Sequence, residues 1–412
     1  MPVKATSLQK GEWRHGWPEL LPDGRNFLYQ VLSHSSIERE LVLGSLDSPN
    51  RSVLLRNVSK AVAVGKNNLV FVRDGTLLMQ GFDQAKGVMT GDPRTLGSDV
   101  AYFYPTAAAD FTASSNGVVV YRTNTSTGRI VIKDRKGNDV RVLDADAATV
   151  GSLGLSPDGR KVVVGIKTIA TGFIDLWIYD LSRAVRDRFT ADPGIEVYPV
   201  WAPDGRTIVY SSSEGGTVPH MVRRSISGSP PEELLPRGTF QIPRSFSSDS
   251  MTIYYGVSQR AGQNIFRMSM SSRVPEAILS TSFSEQEPEV SFDDRWMANV
   301  SWATQQAEIY LTDLKAQNQE RIRISDKGGW NPRWRRDGKE LFYVADSAGV
   351  SRIMSATQRK PGDWNDPVVT ELFTVPNDVV GFAVLPDGQS FVISDEVRGE
   401  MDKLLHVIAN VP

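Results

Sequence analysis

Four short stretches of the sequence bring aromatic and charged side chains close together. They are Trp13-Arg14-His15 with Trp17, Glu196 with Tyr198, Glu285 with Glu287 and Glu289, and Trp330 with Arg333. Tryptophan, tyrosine and arginine anchor interfaces because each joins a large contact area to a directional polar tip. Arranged around a funnel, Trp13, His15, Trp17, Glu196, Tyr198, Glu287, Glu289, Trp330 and Arg333 suit capture of a protein, peptide or glycan. The tryptophans also have a bland role open to them, packing one structural unit against the next. The carboxylates allow a second chemistry. Two acids such as Glu287 and Glu289, held about 5–10 Å apart with one pKa raised, would serve a hydrolase or lyase as general acid and base.

Other chemistries lack their residues. There is no cysteine, hence no disulfide, thiolate metal site or cysteine nucleophile. The four histidines, His15, His34, His220 and His406, are scattered, and no His-Glu-x-x-His occurs. Asp144 and Asp146 lack the remainder of a calcium loop. No Gly-x-Ser-x-Gly elbow is present. The expectation is therefore a non-catalytic chain with no metal and no cofactor. A net charge of -2 with 23% charged residues argues against nucleic acid as a partner. No run of about 18 apolar residues is long enough to span a membrane. Met1 to Ala5 opens without the apolar stretch of a signal peptide.

The elements that would position these side chains form a repeat. A polar turn residue recurs at Asp23, Asn67, Asn116, Asp158, Asp204, Asp249, Asp293, Asp337 and Asp387, at spacings of 44, 49, 42, 46, 45, 44, 44 and 50. Ser-Pro-Asp-Gly at 156–159 and Ala-Pro-Asp-Gly at 202–205 are turn chemistry. Proline presets φ, aspartate bonds its own backbone and glycine accepts a positive φ. Apolar anchors stand three residues before the turn (Leu20, Leu155, Trp201, Phe246, Val290, Trp334, Val384) and four after it (Phe27, Val162, Ile208, Ile253, Met297, Leu341, Phe391). Two further strand-like runs follow in most units. Four short strands in about 45 residues make a propeller blade. A proline five residues before the turn, at Pro18, Pro199, Pro288 and Pro332, marks the loops that carry the aromatic and charged groups.

These repeats resemble the PD40, or TolB-like, β-propeller repeat, clearest over Leu155–Val164, Trp201–Tyr210 and Leu385–Ile393. The stretches Trp17–Tyr29, Gly75–Gln80 and Pro332–Tyr343 are also similar to the C-terminal propeller of bacterial receptor-like serine/threonine kinases. That resemblance implies a sensor part in a periplasmic or extracytoplasmic setting. No kinase motif stands in this sequence. The fold expected is an all-β propeller of four-stranded antiparallel blades spanning 1–412. Nine blades are favoured, with the ring closed by an N-terminal strand from Val3 to Leu8. The alternative is a six-bladed ring from about 150 to 412 plus a three-blade fragment. The propeller is expected to act as a monomer and to bind its ligand at the loop-rich mouth of its channel. A purely structural repeat protein is the third reading.

Overall fold

A computed structural model describes all residues except 1–3, 11, 34–38, 66, 104–106, 124–126, 146, 148, 169–172, 184, 193, 214–217, 260–261, 317–320, 348–349, 376–377, 398–404 and 412. The described residues form antiparallel β-sheets joined by turns, with no helix among them. The Asp-centred turns fold as their chemistry predicts. Oδ1 of Asp23, Asp158, Asp204, Asp249, Asp293, Asp337 and Asp387 accepts the backbone N–H two residues on, at 2.8 to 3.2 Å. Gly159, Gly205, Gly338 and Gly388 follow with φ between 65 and 70°, and Ser250 and Asp294 take the same conformation where glycine is missing.

Six four-stranded sheets have inner strands that touch in a closed circuit. We number these sheets I to VI. Their inner strands are Thr149–Leu155, Glu196–Trp201, Phe240–Phe246, Glu285–Val290, Trp330–Trp334 and Asp378–Val384. A separate apolar cluster fills each of the six contacts. Val163 and Leu176 meet Ile208 and Tyr210 between I and II, and Val209 and Met221 meet Ile253 and Tyr255 between II and III. The series continues around to Ile130, Ile132 and Val392 against Val162 and Val164 between VI and I. Each second strand is thus buried on both faces. That is why runs such as Val162-Val163-Val164 and Leu341-Phe342-Tyr343-Val344 are continuously apolar instead of alternating.

The closure differs from the one expected. Sheet VI takes its inner pair from the C-terminal part, Asp378–Val384 and Ser390–Val397, and its outer pair from Thr127–Asp134 and Asp139–Asp144. Thr127 to Asp134 pairs with Val397 to Ser390 residue by residue. Residues 4–9 form no strand, and Val3 lies outside the described residues. The nine-unit ring closed through Val3–Leu8 is therefore not the pairing found. The reason is burial: Ile130 and Val131 are fully buried against sheets I and V, an apolar fit that residues 4–9 do not offer.

The remaining sheets stand outside the circuit. Two four-stranded sheets cover Glu12–Arg56 and Ala61–Gly97. A three-stranded sheet joins Phe111–Ala113 and Val119–Tyr121 to the C-terminal strand His406–Ile408. Val411 is buried in its core beside Val119 and Phe111.

The closing strands yield a test. A fragment spanning 124–400 is expected to melt cooperatively. A fragment spanning 146–400 loses the burial of Ile130, Val131 and Ile132, about 5 kcal/mol, and bares the edge of Ser390–Val397. It is expected to aggregate or to melt without cooperativity, read by calorimetry and size-exclusion chromatography.

Candidate functional site

A repeated irregularity in the inner strands builds the site. In sheets II, IV and V the pairing jumps from Val197 to Val200, from Gln286 to Glu289 and from Trp330 to Arg333. The residues jumped are Tyr198-Pro199, Glu287-Pro288 and Asn331-Pro332. Proline has no N–H to give to the ladder. The residue before it adopts a left-handed backbone, with φ of 55° at Tyr198, 55° at Glu287 and 56° at Asn331. Such a φ on a non-glycine residue costs on the order of 1 kcal/mol or more and persists where its surroundings hold it. In sheet III the same jump leaves out Arg244. Each bulge frees a side chain from the ladder and turns it toward its neighbours.

Those side chains connect four sheets in series. The Arg244 guanidinium lies 5.0 Å over the Tyr198 ring. Its Nη2 donates to Glu287 Oε1 at 3.1 Å. Glu287 Oε2 accepts the backbone N–H of Asn331 at 2.5 Å. Nearer the turns, Glu289 of sheet IV faces Arg333 of sheet V, with Nη1 to Oε2 at 3.4 Å. Trp334 fixes the strand that carries Glu289, its indole N–H donating to the Glu289 carbonyl at 3.1 Å. Trp201 does the same for sheet I, donating to the Gly154 carbonyl at 3.1 Å.

Arg244, Glu289, Arg333, Trp201 and Trp334 face a cavity of about 510 Å³ lined by the inner strands of all six sheets and extending to the Asp turns. The volume lies in the range of small-molecule and peptide-side-chain pockets. One wall is charged, with Arg244, Glu289 and Arg333. The wall formed by sheets I and VI is small and apolar, with Leu153, Gly154 and Ala383. Gly154 has to be glycine, because a Cβ there would meet the Pro199 carbonyl oxygen at 2.6 Å. Proline rings of the turns and Phe246 and Phe292 line the outer part, with Arg336 donating from Nη1 to the Pro157 carbonyl at 3.0 Å. Burial lifts the Glu289 carboxyl from 4.5 to about 7; Arg333 and Arg244 pull against that rise and Glu287 adds to it. Burial also lowers the affinity of Arg333 for its proton.

Of the residues singled out in the sequence, Glu289 and Arg333 line the cavity, and Tyr198 and Glu287 are joined to it through Arg244. Glu196 is fully buried behind the inner strand, where its Oε1 accepts the Ser212 hydroxyl at 3.2 Å. Trp330 packs against two cores, donates from Nε1 to Asp346 Oδ2 at 2.8 Å and does not line the cavity. Trp13, His15 and Trp17 lie on Glu12–Leu20, outside the six-sheet circuit. His15 Nε2 lies 3.1 Å from Glu12 Oε2, Trp17 is partly exposed with a φ of 53°, and the Trp13 side chain lies outside the described residues. Arg244 was missed. Its signal was in the register: five residues before the turn it replaces the proline found at Pro199, Pro288 and Pro332.

Comparison with known proteins agrees with this architecture. Residues 110–297 match the family model described as PD40, TolB beta propeller domain. No curated protein matches the chain. The putative TolB from Agrobacterium tumefaciens superposes with a TM-score of 0.55 at 19% identity, covering 67% of this chain and all 100% of that one. TolB from Acinetobacter baumannii gives 0.46 at 11% identity over 81% of this chain and 79% of that one. An oligogalacturonate lyase in complex with manganese gives 0.44 at 15% identity over 76% and 81%. Residues 110–297 thus carry the TolB-like PD40 repeat, and the fold is that of a β-propeller. Among the described residues no helix is long and apolar enough to cross a membrane.

Glu289 makes stability depend on pH. The unfolded chain holds this carboxyl near 4.5 and the fold holds it near 7, so the fold retains the proton over that window. The stabilisation is complete below about pH 4.5, is lost as pH rises to about 7 and is flat above, a span on the order of 3 kcal/mol. Glu289→Gln keeps the neutral form at every pH. The melting temperature of the variant minus that of the parent is expected to grow between pH 5 and pH 8. An unchanged difference would show that Glu289 titrates normally.

Proposed function

We propose that the chain is a non-catalytic binding propeller that takes part of a protein, peptide or glycan into the channel between its six sheets. The observation that carries this is the convergence of Arg244, Glu289 and Arg333, from three different sheets, on one open cavity, with Tyr198 and Glu287 holding Arg244 in place. A propeller offers a rigid frame on which turns and bulges can vary without disturbing the cores, which suits recognition. The TolB-like fold supports a binding or scaffold role in general terms. The similarity to receptor-kinase propellers supports placing that role in a bacterial sensor.

One observation favours an enzyme as the second reading. A carboxyl poised near pH 7 beside an arginine in a cavity has the makings of a general acid or base. A two-carboxylate mechanism fits less well, because Glu287 is already held by Arg244 and the Asn331 N–H.

The absence of native cysteine gives a clean test. Phe292 lines the outer cavity and is 51% exposed, so Phe292→Cys can be labelled with a bulky maleimide at the mouth. The unlabelled variant is screened on peptide and glycan arrays before and after labelling. Hits that vanish on labelling, with melting unchanged, support the channel as the site. Hits that survive labelling, or no hit on either array, sink the reading. A hit cleaved by the parent and spared by Glu289→Gln replaces it with the enzyme.

A further inference from the structure

The charge of the cavity is one-sided. Its lining includes three arginines, Arg244, Arg333 and Arg336, and a single carboxylate, Glu289, in a chain whose net charge is -2. The three arginines are not equivalent. Arg244 is nine-tenths buried and spends its Nη2 on Glu287, so it belongs to the framework. Arg336 spends Nη1 on the Pro157 carbonyl at the mouth. Arg333 is committed only through Nη1, to the Pro332 carbonyl at 2.8 Å and to Glu289 at a long 3.4 Å. All its hydrogen bonds among the described residues come from Nη1, so Nε and Nη2 are not engaged there, and the side chain lines the cavity; Arg244 Nε is also without a partner but is buried. The Nε–Nη2 edge is one of the two forks with which a guanidinium binds a carboxylate through parallel hydrogen bonds.

Resting on the channel as the binding site, we propose that the Nε–Nη2 edge of Arg333 receives the carboxylate of a ligand whose apolar body lies against Phe246, Phe292 and the turn prolines. Glu289 completes the site as a proton-dependent neighbour. In its neutral form it can donate its O–H to the incoming carboxylate; ionised, it repels it. The charged groups around Glu289 are Arg333 from sheet V, Arg244 from sheet III and Glu287 on its own strand. Sheets I, II and VI present Leu153, Gly154, Pro199, Val200, Ala383 and Val384 to the cavity, none of which titrates. A carboxylate suits this pocket better than a phosphate. It carries one charge, and its planar pair of oxygens matches one fork beside an acid.

The carboxylate has two sources, a small organic acid or the free C-terminus of a peptide, and titration calorimetry separates them. The probes are 3-phenylpropionate against 3-phenylpropan-1-ol, an acetylated tetrapeptide ending in phenylalanine as free acid against its amide, and inorganic phosphate. At pH 6.5 at least one acid is expected to bind about tenfold or more tighter than its neutral partner. Whichever acid binds tighter identifies the source. Arg333→Gln is expected to lose that preference and Arg333→Lys to keep a fraction of it, charge without the fork. Both variants are checked for parental melting. From pH 7 to pH 8.5 the affinity should fall about tenfold in the parent and stay level in Glu289→Gln. Equal binding of acid and neutral partner, no binding of any acid, retention of the preference in Arg333→Gln, or tighter binding of phosphate overturns the proposal. If array hits still vanish on blocking residue 292, the channel reading survives that result and the carboxylate alone falls.

Discussion

One strand pairing holds the rest of the structure in place, that of Thr127–Asp134 with Ser390–Val397. Sheet VI exists only because two segments more than 250 residues apart meet in it. Without that pairing the sixth inner strand would have a single strand behind it, and the cores on either side would be half empty. Val131 packs with Phe342 and Phe391 toward sheet V, while Ile130 and Ile132 pack with Val162 and Val164 toward sheet I. The two faces of a single strand therefore seal both remaining contacts. A pairing of such sequence separation is slow to find, since loop closure must precede its reward. Once made, it removes the open edges of the circuit.

Closure also fixes the dimensions of the channel, and the bulges determine what stands in it. Four residues before the Asp turn, sheets I to VI carry Gly154, Val200, Ser245, Glu289, Arg333 and Ala383. The backbone is the same at each place and the chemistry is not. A repeat fold lets this happen because blade packing depends on the second strand, where every anchor four residues after the turn is buried. Most of the inner-strand row is thereby freed to face the cavity, although Ala383 also packs in a core. The left-handed residues at Tyr198, Glu287 and Asn331 show that energy is in fact spent there.

Much of this was legible in the sequence, for particular reasons. The Asp turns, the anchors after them and the four-stranded units follow from local chemistry that does not depend on distant contacts. The prolines at Pro18, Pro199, Pro288 and Pro332 were expected to mark loops; they lie instead inside strands, at the bulges where the pairing shifts register. Closure was not legible, because Thr127–Asp134 reads like any third strand, and its partner is decided by shape-matching in two cores. The anchors before the turn were legible only in part: Trp201, Val290 and Trp334 are buried, whereas Leu155 and Phe246 are half-buried beside the cavity. An apolar residue satisfies the pattern in either place. Arg244 was hidden for the opposite reason: it departs from the repeat that makes the other positions recognisable.

The two ion pairs of the channel separate framework from site. Arg244 and Glu287 satisfy one another, and Glu287 gains a backbone N–H besides, the arrangement that makes a desolvated pair tolerable. Glu289 and Arg333 are joined by one long contact, and burial moves both toward neutrality. As a stabilising device this second pair is poor, since apolar side chains of similar volume would fill the lumen at lower cost. Its geometry makes sense for a site with an unfilled place. An arginine fork turned toward a cavity, next to an acid that can hold or release a proton near neutrality, is complete only when a further group supplies the missing acceptor.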